Sequence, residues 1–349
     1  MTQRVHRESI IAAMGKLSML DRVRTARPTA WLAWLVAAPF AGWAVVRVGG
    51  LERGYPASAL LAFTPYVTAL AVVAAIVAFA MWQRKQALAL AVCALALLAV
   101  VVPRAIPNGA PDPRPTGPEV QVLGINLMLG RADLGALAET IRDRDIDVVA
   151  FSELTPETAR TIARSPIADE LPYDVTDAFE GSGGTGLRSR FPLRRLDAPG
   201  TEGFDLPTTR AEVMLPGGNV AEAFAIHPRP PLNPKDVKQL NAYLEAIPGA
   251  DPDGAPRLLI GDFNSTLDDE RLRAVLDRGY TDAADARGAG LQPTWPTDGF
   301  PPPVTIDHVL ADERVGILDF ATVDISGTDH RGVEAELRLP RWSAAPGGG

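Results

Sequence analysis

The stretch LLIGDFNST, residues 258–266, decides the fold of this chain. Leu258, Leu259 and Ile260 form an unbroken aliphatic run, as expected of a short strand buried on both faces. The run ends on Gly261 and delivers Asp262 and Asn264 at the strand terminus, where a rigid element can aim polar side chains into a cleft. Two positions apart on an extended segment, the two side chains point the same way.

Working outward, the same device recurs. EVQVLGIN (119–126) alternates like a strand and ends on Asn126. IDVVAF (146–151) is another continuous apolar run and leads to Glu153, while NVAEAFAIH (219–227) ends on His227. Further strands are predicted over RAEVML (210–215), which meets residues 219–227 at a Gly217–Gly218 turn, and over 304–310, 315–323 and 333–339. Asp307 sits within the first of the last three, and Asp329–His330 just before the last. Asp133 is placed to cap a helix carrying Leu134, Leu137 and Ile141, Pro156 to open a second, and helices are expected over 235–247 and 268–276. Strands and helices alternate first and strands dominate later, which predicts α/β layers with a mixed sheet or two stacked sheets.

LLIGDFNST, the terminal GTDHRGVEAEL (327–337), Ser152–Glu153 after a buried strand, and IHPRPP (226–231) resemble the endonuclease/exonuclease/phosphatase family, the DNase I-like phosphodiesterases. The resemblance spans about Glu119–Leu339 and implies a four-layer α/β sandwich over 119–340, two stacked mixed sheets flanked by helices. It also implies phosphate-ester hydrolysis with Mg²⁺ or Mn²⁺, hard cations that prefer oxygen ligands. Glu153 matches the metal ligand, Asn126 the position supporting that site, and Asp329 a residue near the metal. Asp262 matches the carboxylate that positions or deprotonates the attacking water, and Asn264 its phosphate-holding neighbour. His227 matches a donor to the phosphoryl oxygens, and His330 the catalytic histidine, with Asp307 fixing its tautomer. Whether Asp262 or His330 is the base stays open. Ser152 departs from the glutamine many members carry before the metal glutamate. Arg188, Arg190, Arg210 and Arg331 are candidates for a phosphate clamp, and His308 reads as a structural histidine. GSGGTG (181–186) lacks the Lys–Ser/Thr of a P-loop and reads as a mobile turn leading into LRSRFPL. The rival reading is a catalytically silent surface module on the same fold; degenerate members are expected to lose the metal glutamate or a histidine, and this chain keeps both.

The chain has 349 residues, 47% of them hydrophobic, and a formal charge of −8. Residues 1–103 hold ten Lys/Arg against Glu8, Asp21 and Glu52, so the remainder, with 24 basic and 39 acidic groups, carries −15. Composition excludes a collagen, a coiled coil and a disulfide scaffold, and the single Cys93 excludes an internal disulfide, a thiolate zinc site and a CxxC redox motif. Charged residues are absent from 28–46, 54–83 and 86–103, which predicts a membrane region over 28–103 with spans near 28–46, 64–82 and 86–103, the third the shortest. Six basic residues in 1–27 and Arg84–Lys85 between the later spans place those segments in the cytoplasm. Three spans then put everything after Pro103 outside the cell membrane. No charged residue inside the spans marks a transport path. Residues 104–118, rich in Pro and Gly, read as a linker and 341–349 as a flexible tail. The partners expected are the lipid bilayer and a phosphoester, nucleic acid or phospholipid, with no protein partner. The acidic domain lacks a broad basic stripe for long nucleic acids.

Overall fold

The computed structural model describes residues 31–52, 54–108, 115–197 and 208–342. The predicted basic N-terminus (1–27), part of the linker (109–114) and most of the tail (343–349) lie outside the described residues.

Among the described residues, 31–51 and Tyr66–Ala99 form one compact unit. Its helices are α1 (Trp31–Gly49) and nearly all of α3 (Thr64–Ala80) and α4 (Arg84–Val101); a short α2 (Ala57–Leu61) before α3 belongs to the second unit. α1, and α4 together with the 3-10 turn that extends it to Ala105, are long and apolar enough to cross a membrane. α3, at 17 residues, is the shortest of the three, not α4. The 30-residue uncharged run does not become one long helix: Ala57–Leu61 forms its own turn, and Thr64 Oγ1 donates to Leu61 O at 2.6 Å at the break.

Among the described residues, the second unit has twelve strands in two six-stranded sheets. One sheet runs β11-β12-β1-β2-β4-β3: β1 (Glu119–Asn126), β2 (Val148–Ser152), β3 (Tyr173–Asp177), β4 (Thr185–Ser189), β11 (Gly316–Asp324) and β12 (Arg331–Arg338). The other runs β5-β6-β7-β8-β10-β9: β5 (Leu193–Leu196), β6 (Thr209–Met214), β7 (Val220–Ile226), β8 (Arg257–Asp262), β9 (Tyr280–Asp282) and β10 (Asp307–Asp312). Each sheet is built around one parallel pair joined by a helix. β1 and β2 are linked through α5 (Leu134–Asp143), and β7 and β8 through α8 (Pro234–Ala246). All other pairings are antiparallel.

Alternate side chains of the apolar strands serve different layers. Val148 and Ala150 of β2, with Leu258 and Ile260 of β8, enter the core between the sheets. Val149 and Phe151 turn outward onto Leu137 and Ile141 of α5, and Leu259 turns onto Leu240 and Leu244 of α8. Helix α9 (Glu270–Leu276) covers the same face through Leu272 and Val275. This is why these runs are apolar without alternation; each fully buried Leu or Ile contributes about 1.5–3 kcal/mol. Short helices α6 (Pro156–Ile162), α7 (Pro166–Glu170) and α10 (Ala283–Ala286) complete the unit. Asp133 accepts from Gly135 N and Ala136 N as the N-cap of α5, as its sequence predicts.

Three expectations are corrected. The glycine-rich 181–186 stretch is an exposed turn only at its start; Gly183–Gly186 are buried as the chain enters β4. The strand expected over 304–310 begins at Asp307, because Val304 pairs with Trp295 in an isolated bridge. The linker expected from 104 does not begin as an extended spacer. Val102–Ala105 is a 3-10 turn, and buried Arg104 donates from both terminal nitrogens to Asp268 at 2.8 Å. Earlier in the chain, Glu52 Oε1 accepts from Glu270 N at 2.6 Å and lies 3.5 Å from Arg273 Nη2.

Candidate active site

The topology collects the eight expected residues at one edge of the sandwich. Asn126 and Asp262 end β1 and β8, while Glu153 and His227 immediately follow β2 and β7, so four carboxyl ends of parallel strands meet there. Asp307 opens antiparallel β10 directly opposite Asp262, and His330 precedes β12, whose start returns beside the end of β1. Glu153 and Asn264 have φ of 54° and 48°, a left-handed conformation that non-glycine residues adopt at a cost. Gly261 has φ 141°, and a Cβ there would lie 2.3 Å from Ile226 O, so only glycine lets β8 pass this close to β7.

Asp262 Oδ2 is the hub. It accepts from Asn126 Nδ2 at 3.0 Å and lies 3.7 Å from His227 Nε2 and 3.8 Å from His330 Nε2. Its other oxygen accepts from Asn264 N at 2.8 Å, and Asn264 Nδ2 donates to Pro228 O at 2.9 Å. His330 Nδ1 lies 2.9 Å from Asp307 Oδ2, which leaves Nε2 aimed at Asp262. His227 Nδ1 is buried without a hydrogen-bond partner. Asn126 Oδ1 accepts from Met128 N at 2.9 Å and its amide donates to Glu153 Oε1 at 3.4 Å as well as to Asp262, so Asn126 braces two carboxylates. Burial, and then the neighbouring charge of Asp307, push the Asp262 carboxyl above its ordinary range. Burial opposes the charge on His330, but Asp307, Asp262 and Asp329 outweigh it and raise the imidazole to about 10.

Thr294, Thr328 and Trp295 support these groups, and sequence alone assigns none of them a role in the site. Thr294 Oγ1 accepts from Ile306 N and Asp307 N at 3.0 and 3.1 Å. Thr328 Oγ1 donates to Asn126 O at 2.8 Å and accepts from His330 N at 3.2 Å, tying β1 to the histidine turn. Trp295 Nε1 donates to Asp329 Oδ2 at 2.9 Å, with its ring centroid 6.3 Å from that of His330. A threonine two positions before the histidine was the only local signal for any of them.

The profile of the Endonuclease/Exonuclease/phosphatase family matches residues 123–330. The chain belongs to this family. No curated protein matches it. The endonuclease/exonuclease/phosphatase from Beutenbergia cavernae is 21% identical, with a TM-score of 0.50 over 64% of this chain and 72% of that one. D. rerio TDP2, solved with a single-strand DNA product, is 18% identical, with a TM-score of 0.50 over 63% of this chain and 99% of that one. At these identities the likeness establishes the shared fold.

The donor set fits the divalent cation typical of the family. Glu153, Asp262, Asp307 and Asp329 are gathered with two histidines, and no Lys or Arg ion pair to any of the four carboxylates occurs among the described residues. Such surplus negative charge on hard oxygen donors suits Mg²⁺ or Mn²⁺. One donor atom each from Asp262, Asp307 and His330 lies within 4.8 Å of the others. Glu153 is partly open to solvent, and its Oε1 meets the Asn126 amide that also binds Asp262.

The four candidate clamp arginines are committed elsewhere. Arg188 donates to Leu171 O, Arg190 pairs with Asp147, Arg210 with Glu222, and Arg331 with Asp324. His308 is structural as expected: its ring nitrogens meet Asp282 at 2.6 Å and Ser265 O at 3.0 Å, and Phe263 packs edge-on against it.

Proposed function

We propose that this chain is a divalent-metal-dependent hydrolase of a phosphate ester, anchored in the cell membrane with its catalytic domain outside the cytoplasm. The observation that carries the chemistry is the Asp262 hub, with two imidazole Nε2 atoms 3.7 and 3.8 Å from one carboxylate oxygen. These gaps exceed a direct hydrogen bond and suit a ligand oxygen bonded by both rings. Asp262, its pKa raised by burial, accepts the proton of an attacking water. Asp307 holds His330 so that Nε2–H donates to the phosphoryl group or the departing oxygen. His227 Nε2 supplies a second donor, and the free N–H of the Asn264 amide a third. Asn126 keeps Glu153 and Asp262 in place. Glu153 would hold the cation, which when bound would supply charge neutralisation to the phosphoryl oxygens.

Support for the anchor comes from α1 and the Arg84–Ala105 helix, both long and apolar enough to cross a membrane. At 1.5 Å per residue the 17 residues of α3 span about 25 Å, slightly short of a bilayer core of about 30 Å. Parity supports its crossing too. Glu52, after α1, and Arg104, after α4, both bind within residues 267–273, so the chain between them crosses an even number of times. If α4 crosses, α3 is the returning span. The basic N-terminus and Arg84–Lys85 favour the cytoplasm, which leaves the catalytic domain on the other side.

The test is turnover of plasmid DNA, RNA, sphingomyelin, phosphoinositides and a chromogenic phosphodiester by the full chain in detergent. Mg²⁺, Mn²⁺, Ca²⁺ and EDTA are compared, beside His330→Ala and Glu153→Gln. Metal-dependent turnover is expected on at least one substrate, lowered about 10²–10⁴-fold in His330→Ala, with half-activation shifted to higher metal in Glu153→Gln. A folded protein that binds metal but turns over nothing would instead assign the fold a binding role.

A further inference from the structure

We propose that Glu52 and Arg104, both outside the family match at 123–330, are positioning residues for the catalytic turn that begins at Asp262. The inference rests on the hydrolase reading above. From Asp262 to Asp269 every residue except half-buried Asn264 is buried, yet the segment between β8 and α9 has no regular structure. Internal bonds shape it: Asn264 N donates to Asp262, Asp268 N to Thr266 Oγ1, and Asp269 caps α9 through Arg271 N. Its far end is held by residues more than 160 positions earlier in the chain. Arg104 forms a two-pronged pair with Asp268, both prongs at 2.8 Å, and also donates to Leu267 O at 3.2 Å. Glu52, fully buried, accepts from the backbone of Glu270 and faces Arg273, whose guanidinium donates in turn to Asp268 O at 2.6 Å. The carbonyl of Glu52 accepts from Arg271 Nη1 at 3.3 Å.

These contacts form one linked chain, Glu52–Arg273–Asp268–Arg104, whose Asp268 lies six residues after Asp262 and four after Asn264. A fork-shaped guanidinium pair fixes direction as well as distance, which a single ion contact does not. With Asn264 in a left-handed conformation, any relaxation of the turn moves the Asn264 amide and the Asp262 carboxylate together. Misplacement of this kind lowers turnover without removing a group that touches substrate.

The experiment compares full-length wild type with Glu52→Ala, Glu52→Gln and Arg104→Ala, and with Arg142→Ala at a remote exposed pair as control. Kinetics are run well below each melting temperature, and backbone hydrogen exchange is followed over residues 262–269. The expected result is a kcat lowered about ten- to a hundredfold, KM within about twofold, and faster exchange confined to that turn. Glu52→Gln, which keeps an acceptor for Glu270 N, recovers much of the loss, and Arg142→Ala behaves as wild type. Unchanged kcat or unchanged exchange in folded variants overturns the proposal. If wild type itself hydrolyses nothing, the hydrolase reading fails, and the exchange result alone decides whether these contacts hold the turn.

Discussion

His330 shows how neighbouring carboxylates set a titration. Burial opposes its charge, but Asp307, 2.9 Å from Nδ1, with Asp262 and Asp329, holds the imidazole at about 10 against an ordinary 6.5. A raised histidine pKa means the folded state binds the proton more tightly than the unfolded chain. Its stabilisation is therefore complete below about 6.5 and is lost as pH climbs through about 10. In metal-free protein, Asp307→Asn is expected to drop the His330 pKa sharply, read by histidine NMR titration, and to flatten the fall in melting temperature between those pH values. A titration still centred near 10 in the variant would show that Asp307 is not the cause. Glu153 and Asn264 add the complementary lesson that site residues here occupy left-handed backbone positions their chemistry alone does not ask for.

At the scale of elements, the site depends on two parallel pairs, β1–β2 and β7–β8, whose carboxyl ends face the same edge. The close approach of β7 and β8 is set by Gly261. Gly261→Ala would drive a methyl to 2.3 Å from Ile226 O at a backbone angle that disfavours side chains. A loss of about 1–3 kcal/mol is expected, measured as a lowered denaturation midpoint, with activity falling further because Asp262 is the next residue. A midpoint equal to wild type would mean that β7 and β8 can separate without cost. β2 and β8 were legible as strands because both faces are buried and the runs are uninterrupted. β3 and β5, each at a sheet edge and partly exposed, and the three-residue β9 carry too little apolar pattern to be read from sequence.

At the scale of the whole molecule, an acidic catalytic unit follows apolar helices whose flanking residues, Glu52 and Arg104, return to it. The proposed three-span topology puts the carboxyl terminus outside, and labelling tests it. A cysteine introduced near Arg341 in a Cys93→Ala background is expected to react with an impermeant maleimide in intact cells. Labelling only after the membrane is opened would overturn the odd number of spans. Residues 104–349 carry a net −15, which offers no broad basic surface to steer long nucleic acids.

By itself the sequence determined the family and the identity of the polar groups at the strand ends, because buried strands must be apolar and what interrupts them is conspicuous. It also determined that the chain carries apolar runs close to membrane length. Only the tertiary structure decided that Asp262 is the shared partner of Asn126, His227 and His330, and that the four candidate arginines are spent on other carboxylates and carbonyls. It alone revealed that Arg104 is buried against Asp268 and not part of a free spacer. The physical reason is common to all three: these contacts join residues from 7 to 164 positions apart across different strands and loops, and no local periodicity records which of many charged side chains will meet once the sheets stack.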